Sequence, residues 1–372
     1  MTMLMAVLQD SLRLLKSRSL FWLSLVLSVL AAVALFATYS FNDQGVQFFW
    51  FETWQNPMLK VGTTGSRAFV AGIFNNVYVQ FWLSWGALIL AVLSTSSILP
   101  DFLGSGAVEL SLSKPIGRVR LFAYKVLGAV LFVLLQTLAG VLVAYLVIGL
   151  KFDMWLHGML WAIPLITLQF LYVYSFSALL AVVTRSTLAC VIGTLLFWFA
   201  IFVVQFSSNR LLEVVESSRS IIRQNTEIVE SIKERAASQN RELNASEERR
   251  IKGRNDESAS EQKTVDSFGT WSQYLTAGEL VIPKTNDIKV IVANLAEAPV
   301  GGELADILGA GREGGFRPPD MDEDEWDQTR KASDDAERAL RDVKTWKSIG
   351  TSSASCLVIF GIAAFLFRRR DF

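Results

Sequence analysis

Histidine and cysteine are nearly absent, and each scarcity removes a class of function. His157 is the single histidine among 372 residues, so neither a histidine-ligated zinc nor histidine-based acid–base catalysis has its partners. Cys190 and Cys356 are the only cysteines, and both lie in apolar runs, which excludes a disulfide scaffold. No G-x-x-x-x-G-K-[ST] occurs; Gly62-Thr-Thr-Gly65-Ser66 lacks the lysine, so the chain does not cradle nucleotide phosphates by that route. No repeat of solenoid length is present. Charge is scarce too, at 19%, and the apolar runs hold no ionisable side chain in their middles. Proton- and ion-coupled carriers place such groups there as relays. These residues assign no catalytic, cofactor or metal position, so any active transport must draw its energy from another chain.

Long apolar runs are what the sequence does have, with 52% hydrophobic residues, 25 Phe and 11 Trp. Six stretches reach the roughly 20 apolar residues that cross a bilayer: 20–40, 77–99, 121–150, 155–183, 187–206 and 349–367. The first resembles a signal peptide with Arg13, Lys16 and Arg18 as its basic region. Its apolar core is too long for one and no small-x-small site follows, so it reads as an uncleaved span. With the N-terminus inside, the short inner segments carry Arg13, Lys16, Arg18, Lys114, Arg118, Arg120, Lys125, Arg185 and Arg368–Arg370. The short outer loops carry only Lys60, Arg67 and Lys151. This asymmetry puts both termini in the cytoplasm and 207–347 outside. The predicted fold class is an all-α integral membrane protein of six transmembrane helices. A long helical, partly disordered extracytoplasmic insert separates helices five and six. The domains are 1–206, the insert 207–347, and the sixth span with a basic tail, 348–372.

Net charge is zero, but 207–347 holds 21 Lys+Arg against 28 Asp+Glu. An acidic outer portion is the reverse of what a nucleic-acid binder needs. Within it, Leu211, Val215, Ile222, Val229, Ile232 and Ala236 mark one face of a helix over 209–250. Trp326, Ala336, Leu340, Val343 and Trp346 form a weaker stripe. The two predict an antiparallel stalk, or else two separate solvated helices. Residues 252–263 read as polar and mobile, and Gly301–Asp327 as a solvated loop. The stretch 288–295 fits the outer bilayer surface. Phe48, Phe49, Trp50, Phe51 and Trp54 read as an interfacial aromatic belt, or as a surface where lipid or substrate enters.

The longest inner connection, Pro100 to Lys125, is the most patterned. Ser105 can cap a short helix from about Gly106, Glu109 falls in its first turn, and Pro115 ends it. The stretch Gly106-Ala-Val-Glu109-Leu-Ser-Leu-Ser-Lys114-Pro115-Ile-Gly-Arg118 resembles the inner loop of ATP-binding-cassette type-2 permeases. The ending Phe367-Arg-Arg-Arg-Asp-Phe372, the Pro-containing Leu280–Pro283 and the six-span layout are also similar to that family. The inner loop has no basic residue before Gly106, and 209–265 is longer than usual there, which points to an added outer function.

The resemblance implies a membrane-spanning permease subunit of an ATP-driven transporter, most naturally an exporter, in a cell membrane of the bacterial inner-membrane kind. It implies two partners besides the lipid bilayer: a separate ATPase and a second permease copy, as homodimer or heterodimer. The coupling loop would comprise Asp101, Gly106, Glu109, Lys114, Pro115 and Arg118. Gly128, Ala129, Gly140, Gly193 and Ala200 are candidates for close helix packing, between copies or within one subunit. The alternative is a multi-span anchor or sensor whose outer stalk binds a partner.

Overall fold

Among the described residues, six helices are long and apolar enough to cross a membrane, spanning Ser19–Ala37, Thr64–Leu103, Arg118–Phe152, His157–Thr184, Thr187–Ser238 and Trp346–Arg369. The computed structural model describes residues 19–49, 54–55, 59–104, 117–278, 282–296 and 345–369. It divides into one unit of Met1–Phe202, Val281–Gly311 and Lys344–Phe372, and a second of Val203–Leu280 and Arg312–Val343.

In the first unit, α1 (Ser19–Ala37) buries Phe21, Ser24, Ser28, Ala32 and Phe36, one residue per turn. The second crossing begins earlier than the apolar run at 77. Thr63 caps α2 (Thr64–Ile73) by accepting the Ser66 amide at 3.1 Å. The chain then continues as a π-helix, Phe74–Ala87, before α3 (Leu88–Thr95) and α4 (Ile98–Gly104). Its i→i+5 bonding gives more than four residues per turn, and burial follows that wider period: Phe74 and Asn75, Tyr78 and Val79, Leu83 and Ser84, then Ala87. A search for 3.6-residue periodicity starts only where this pattern turns fully apolar.

The remaining helices of this unit are α5 (Arg118–Phe152), a 3-10 turn (His157–Trp161), α6 (Ala162–Thr184) and α7 (Thr187–Ser238), whose residues to 202 belong here. The last crossing is α10 (Thr345–Arg369). α5 packs on α1 and α6, and α6 packs on α10. Gly128, Ala129 and Gly140 are buried on α5, and half-buried Gly193 leaves room for Leu180, so these four pack within the subunit, whereas Ala200 is exposed.

The all-α expectation needs one correction. β1 (Tyr39–Asn42) and β2 (Gly45–Phe48) form an antiparallel hairpin, and β3 (Trp54–Gln55) pairs with β2. The Asn42 side-chain oxygen accepts the amides of Gln44 at 2.9 Å and Gly45 at 2.8 Å, closing the Asp43–Gln44 turn as an Asx turn does, and Gly45 takes φ 148° where β2 begins. Tyr39 stacks on Phe152 at 5.3 Å and meets Phe69 edge-on, so aromatic packing holds the strands over the helix ends.

Residues 288–295 also depart from expectation. They form most of α9 (Thr285–Leu295), which packs against α6, the 3-10 turn, the π-helix and α10 rather than lying on a surface. Ile288, Ile291, Val292 and Ala293 are buried. A side chain at Gly158 would collide with the Leu295 carbonyl; the missing Cβ there lets the two backbones meet. At α9's other end Ser348 donates to Asp287 at 2.5 Å, and the Lys284 amide donates to Ser352.

In the second unit the predicted helix over 209–250 stops at Ser238, and α8 (Ala245–Gly278) occupies the stretch read as polar and mobile. The reason is capping. Asn244 accepts the amides of Ser246 and Glu247, and Glu247 reaches back to the Asn244 amide at 3.0 Å; this is a capping box. Arg241 clamps both Glu247 oxygens at 2.7 Å. Asn240, at φ 50°, turns the chain between the helices. On α7, Ser208, Leu211, Val215, Ser218, Ile222, Asn225, Val229, Ile232 and Ala236 are buried or half-buried. They alternate in steps of three and four, a heptad seam with polar members. Asn225 donates to Glu257 at 3.0 Å and accepts from Arg254 at 3.3 Å, tying α8 to that seam. The other stripe of the expected stalk, Trp326–Val343, and the loop Gly301–Asp327 lie outside the described residues.

Two predictions follow from these ties. Lys151 donates to the Phe36, Ala37 and Tyr39 carbonyls at 3.3, 2.9 and 2.7 Å, capping α1 with a cation from α5. Lys151→Met is expected to lower stability by about 1–2 kcal/mol, read by thermal unfolding in detergent. Arg241 and the Asn244 amide hold the Glu247 carboxyl down to about 2. A depressed carboxyl contributes stability that is complete above its unfolded pKa of about 4.3 and is lost as pH falls toward 2. Pepsin cleavage near 239–244 should therefore rise between those pH values, while Glu247→Gln is cleaved readily throughout.

Candidate functional site

Two features of the first unit could carry function. The first is the helix end where the patterned loop begins and finishes. α4 packs on α5 and α6, burying Leu99, Phe102 and Leu103 while Asp101 stays exposed. Lys125 is buried with its ammonium 5.0 Å from the Phe102 ring. Phe122 meets Phe367 of α10 at 5.7 Å. Arg118 donates to the Arg368 carbonyl at 3.2 Å, so its cation sits where the last helix presents unsatisfied carbonyls. Of the predicted coupling residues, Asp101 and Arg118 are thus fixed at the loop's two ends, against the third, fourth and last crossings. Gly106, Glu109, Lys114 and Pro115 lie outside the described residues.

The second feature is a line of polar side chains inside the bundle. The Ser28 hydroxyl accepts from Trp82 Nε1 and from Gln136 Nε2, each at 3.3 Å. The Ser28 carbonyl accepts from the Tyr78 hydroxyl at 3.1 Å. Gly140 leaves room for that phenol, since a Cβ there would overlap the Tyr78 oxygen. Further along, Thr137 and Thr167 pair at 3.3 Å, Ser84 donates to Gln169 Oε1 at 3.2 Å, and Ser177 donates to Ser96 at 3.2 Å. Tyr172 joins Ser353 at 3.1 Å. In an apolar surrounding each such group needs a protein partner, so the pairs stitch neighbouring crossings together. Both polar atoms of Asn75, Gln136 Oε1 and Gln169 Nε2 are buried without a hydrogen-bond partner.

Comparison with family models, with curated proteins and with solved structures returned no match. Gln136 and Gln169 stand out in the sequence as polar residues within spans. Ser28, Tyr78 and Trp82 carry no such signal, because serine and aromatics are ordinary in membrane helices; only the π-helical phase of 74–87 brings Tyr78 and Trp82 to the same serine.

Ser28→Ala is expected to destabilise the bundle by about 1–3 kcal/mol, because it strands the buried Gln136 N–H and the half-buried Trp82 N–H. Adding Gln136→Leu removes one of those donors, so the double variant should recover more than about 0.5 kcal/mol relative to additivity. Unfolding midpoints of the two single variants and the pair test this.

Proposed function

We propose that the chain is the membrane-spanning permease subunit of an ATP-driven transporter, most naturally an exporter. It works as a dimer with a separate ATPase, in a bacterial inner membrane with both termini cytoplasmic. The observation that supports this reading best is the anchoring of the loop that resembles the type-2 permease coupling segment. One end of it leaves α4, which is wedged on α5 and α6. The other enters α5 at Arg118, which is bonded to the end of α10. A force applied to a loop held this way acts on three crossings together. The chain's lack of a phosphate loop and of ionisable groups in mid-span fits an energy source carried by a partner.

A second reading rests on a different observation. The α7–α8 pair has a buried heptad seam with Asn225 as its polar lock, and polar seam residues specify register. A register-defined hairpin suits recognition, as in an anchor or sensor that binds an outer partner.

Glu109→Lys separates the two. In the permease reading it reverses a charge at the docking surface, at a cost of about 2–5 kcal/mol. Co-purified ATPase, or substrate-stimulated hydrolysis, then falls with the permease still inserted. Glu109→Gln, which removes only a favourable helix-terminus charge worth roughly 0.3–1 kcal/mol, should have a much smaller effect. An unchanged ATPase yield and rate with Glu109→Lys would favour the anchor.

A further inference from the structure

Lys289 is a cation placed inside the first unit, with no anionic side chain paired to it among the described residues. Its side chain is 9% exposed, and its ammonium lies 5.8 Å from the centre of the Trp85 ring. The carboxylate on its own helix is Asp287, two residues away and therefore on another face. Asp287 is engaged by Ser348 and, at 3.9 Å, by Lys284. The elements packed against α9 are the π-helix, the 3-10 turn, α6 and α10, and their described residues contain no Asp or Glu. His157, at the start of the 3-10 turn, is bonded through Nδ1 to Tyr145. The cations of α10 are Lys347, Arg368 and Arg369.

The same packed elements hold further buried polar atoms without a partner, Gln169 Nε2 on α6 and both Nδ2 and Oδ1 of Asn75 on the π-helix. Gln169 of α6 uses Oε1 to accept from Ser84, beside Trp85, and its Nε2 is buried and unpaired. The surroundings are otherwise aromatic. Trp85 lies 4.5 Å from Trp198 and 4.8 Å from Phe202, and α7 continues outward through exposed Leu196 and Phe199. A buried ammonium with no carboxylate among its described neighbours, set against an aromatic wall, suits an oxyanion joined to an apolar body, because an unpaired buried ammonium is strongly unfavourable until an anion joins it.

We propose that Lys289, with Trp85 beside it, binds the anionic head of an acidic amphiphile, either a long-chain carboxylate or the phosphate of an anionic lipid. Identifying that amphiphile as transported cargo rests on the permease reading; the binding does not. Burial lowers the Lys289 ammonium to about 8, which still leaves it mainly protonated at neutral pH. Trp85, at cation–π range, holds the ammonium in place while the site is empty.

Tryptophan quenching tests the site directly. The purified full chain in neutral detergent is titrated with 2-bromododecanoate, whose bromine sits beside the carboxylate, and, as control, with 2-bromododecan-1-ol. The acid should quench saturably and bind at least about tenfold more tightly than the alcohol, as a charged hydrogen bond predicts. Lys289→Met should reduce the acid to the alcohol's affinity, Lys289→Arg should retain it, and Trp85→Phe should remove most of the saturable quenching. In a second arm the chain sits in nanodiscs with brominated phosphatidylglycerol or brominated phosphatidylcholine. Saturable, Lys289-dependent quenching by the anionic lipid names a bilayer lipid as the source, and quenching by dodecanoate alone names a diffusible acid.

Equal affinity for acid and alcohol overturns the proposal, as does Lys289→Met binding the acid normally. The ligand-free Lys289→Met variant should unfold no earlier than the unmodified chain, since it removes an uncompensated charge. Earlier unfolding would make Lys289 a structural tie and overturn the site. None of these measurements needs ATP or an ATPase, so failure of the site and failure of the permease reading register separately.

Discussion

A membrane interior offers no water to a polar side chain, and the first unit is organised around that constraint. Ser28 shows it most clearly. One small residue on α1 receives Tyr78 and Trp82 from the π-helix and Gln136 from α5. Three crossings thereby meet at one turn of backbone. The association of apolar helices in lipid gains little from hydrophobicity, so close packing and hydrogen bonds of this kind carry specificity. The small residues serve the same end: Gly140 admits the Tyr78 phenol, and Gly158 admits the end of α9. A larger residue at either position would push apart elements that the polar pairs hold at fixed distance.

The constraint also explains where the helix geometry departs from the ordinary. The π-helix widens the spacing of its buried rows so that Asn75, Tyr78 and Ser84 share a face with Phe74, Val79 and Leu83. An α-helix of the same sequence would rotate some of these polar groups toward lipid, at a cost set by their unsatisfied hydrogen bonds. π-helical segments concentrate at functional sites. This one carries Trp85, the ring nearest the buried Lys289.

The six crossings were legible in the sequence because roughly 20 apolar residues in a row have few other uses. Their edges were less so. The second crossing starts at Thr64 because Thr63 caps it, and its first turns contain Arg67, Asn75 and Asn76, which hydropathy discounts. α8 escaped altogether. Its half-buried row of Ile251, Arg254, Ser258, Glu261 and Val265 is mostly polar, so no apolar period announces it. The Asn244–Glu247 box was readable as a helix start, and it lay inside a stretch assigned to the preceding helix. The α7 seam was read at its apolar positions only; Ser218 and Asn225 complete the heptad and hide it. Asp101 and Arg118 are two of the six coupling residues that the resemblance implied, but nothing in the sequence linked Arg118 to Arg368, 250 residues away. Lys289 was equally hidden, since a lone lysine in a short amphipathic stretch reads as a surface residue until its neighbours are known.

These pieces place opposite demands on the two ends of the bundle. At the Arg118 end, cations are satisfied: Arg118 by a helix-end carbonyl, Lys125 over an aromatic ring. At the end near Lys151, that lysine too is satisfied, by three carbonyls. Lys289 breaks the pattern, because its described neighbours supply a ring face but no carboxylate. Stability alone does not favour such an arrangement, since an apolar residue of similar volume would remove the desolvation cost. A binding role does favour it, because an anion entering the site gains a pairing the empty protein forgoes. α9 bears Lys289 and contacts the π-helix, α6 and α10 at once, so the charge state of this one site is felt by three of the crossings. The π-helix crossing, α6 and α10 are also the crossings that α4, by packing and by chain continuity, and Arg118 hold.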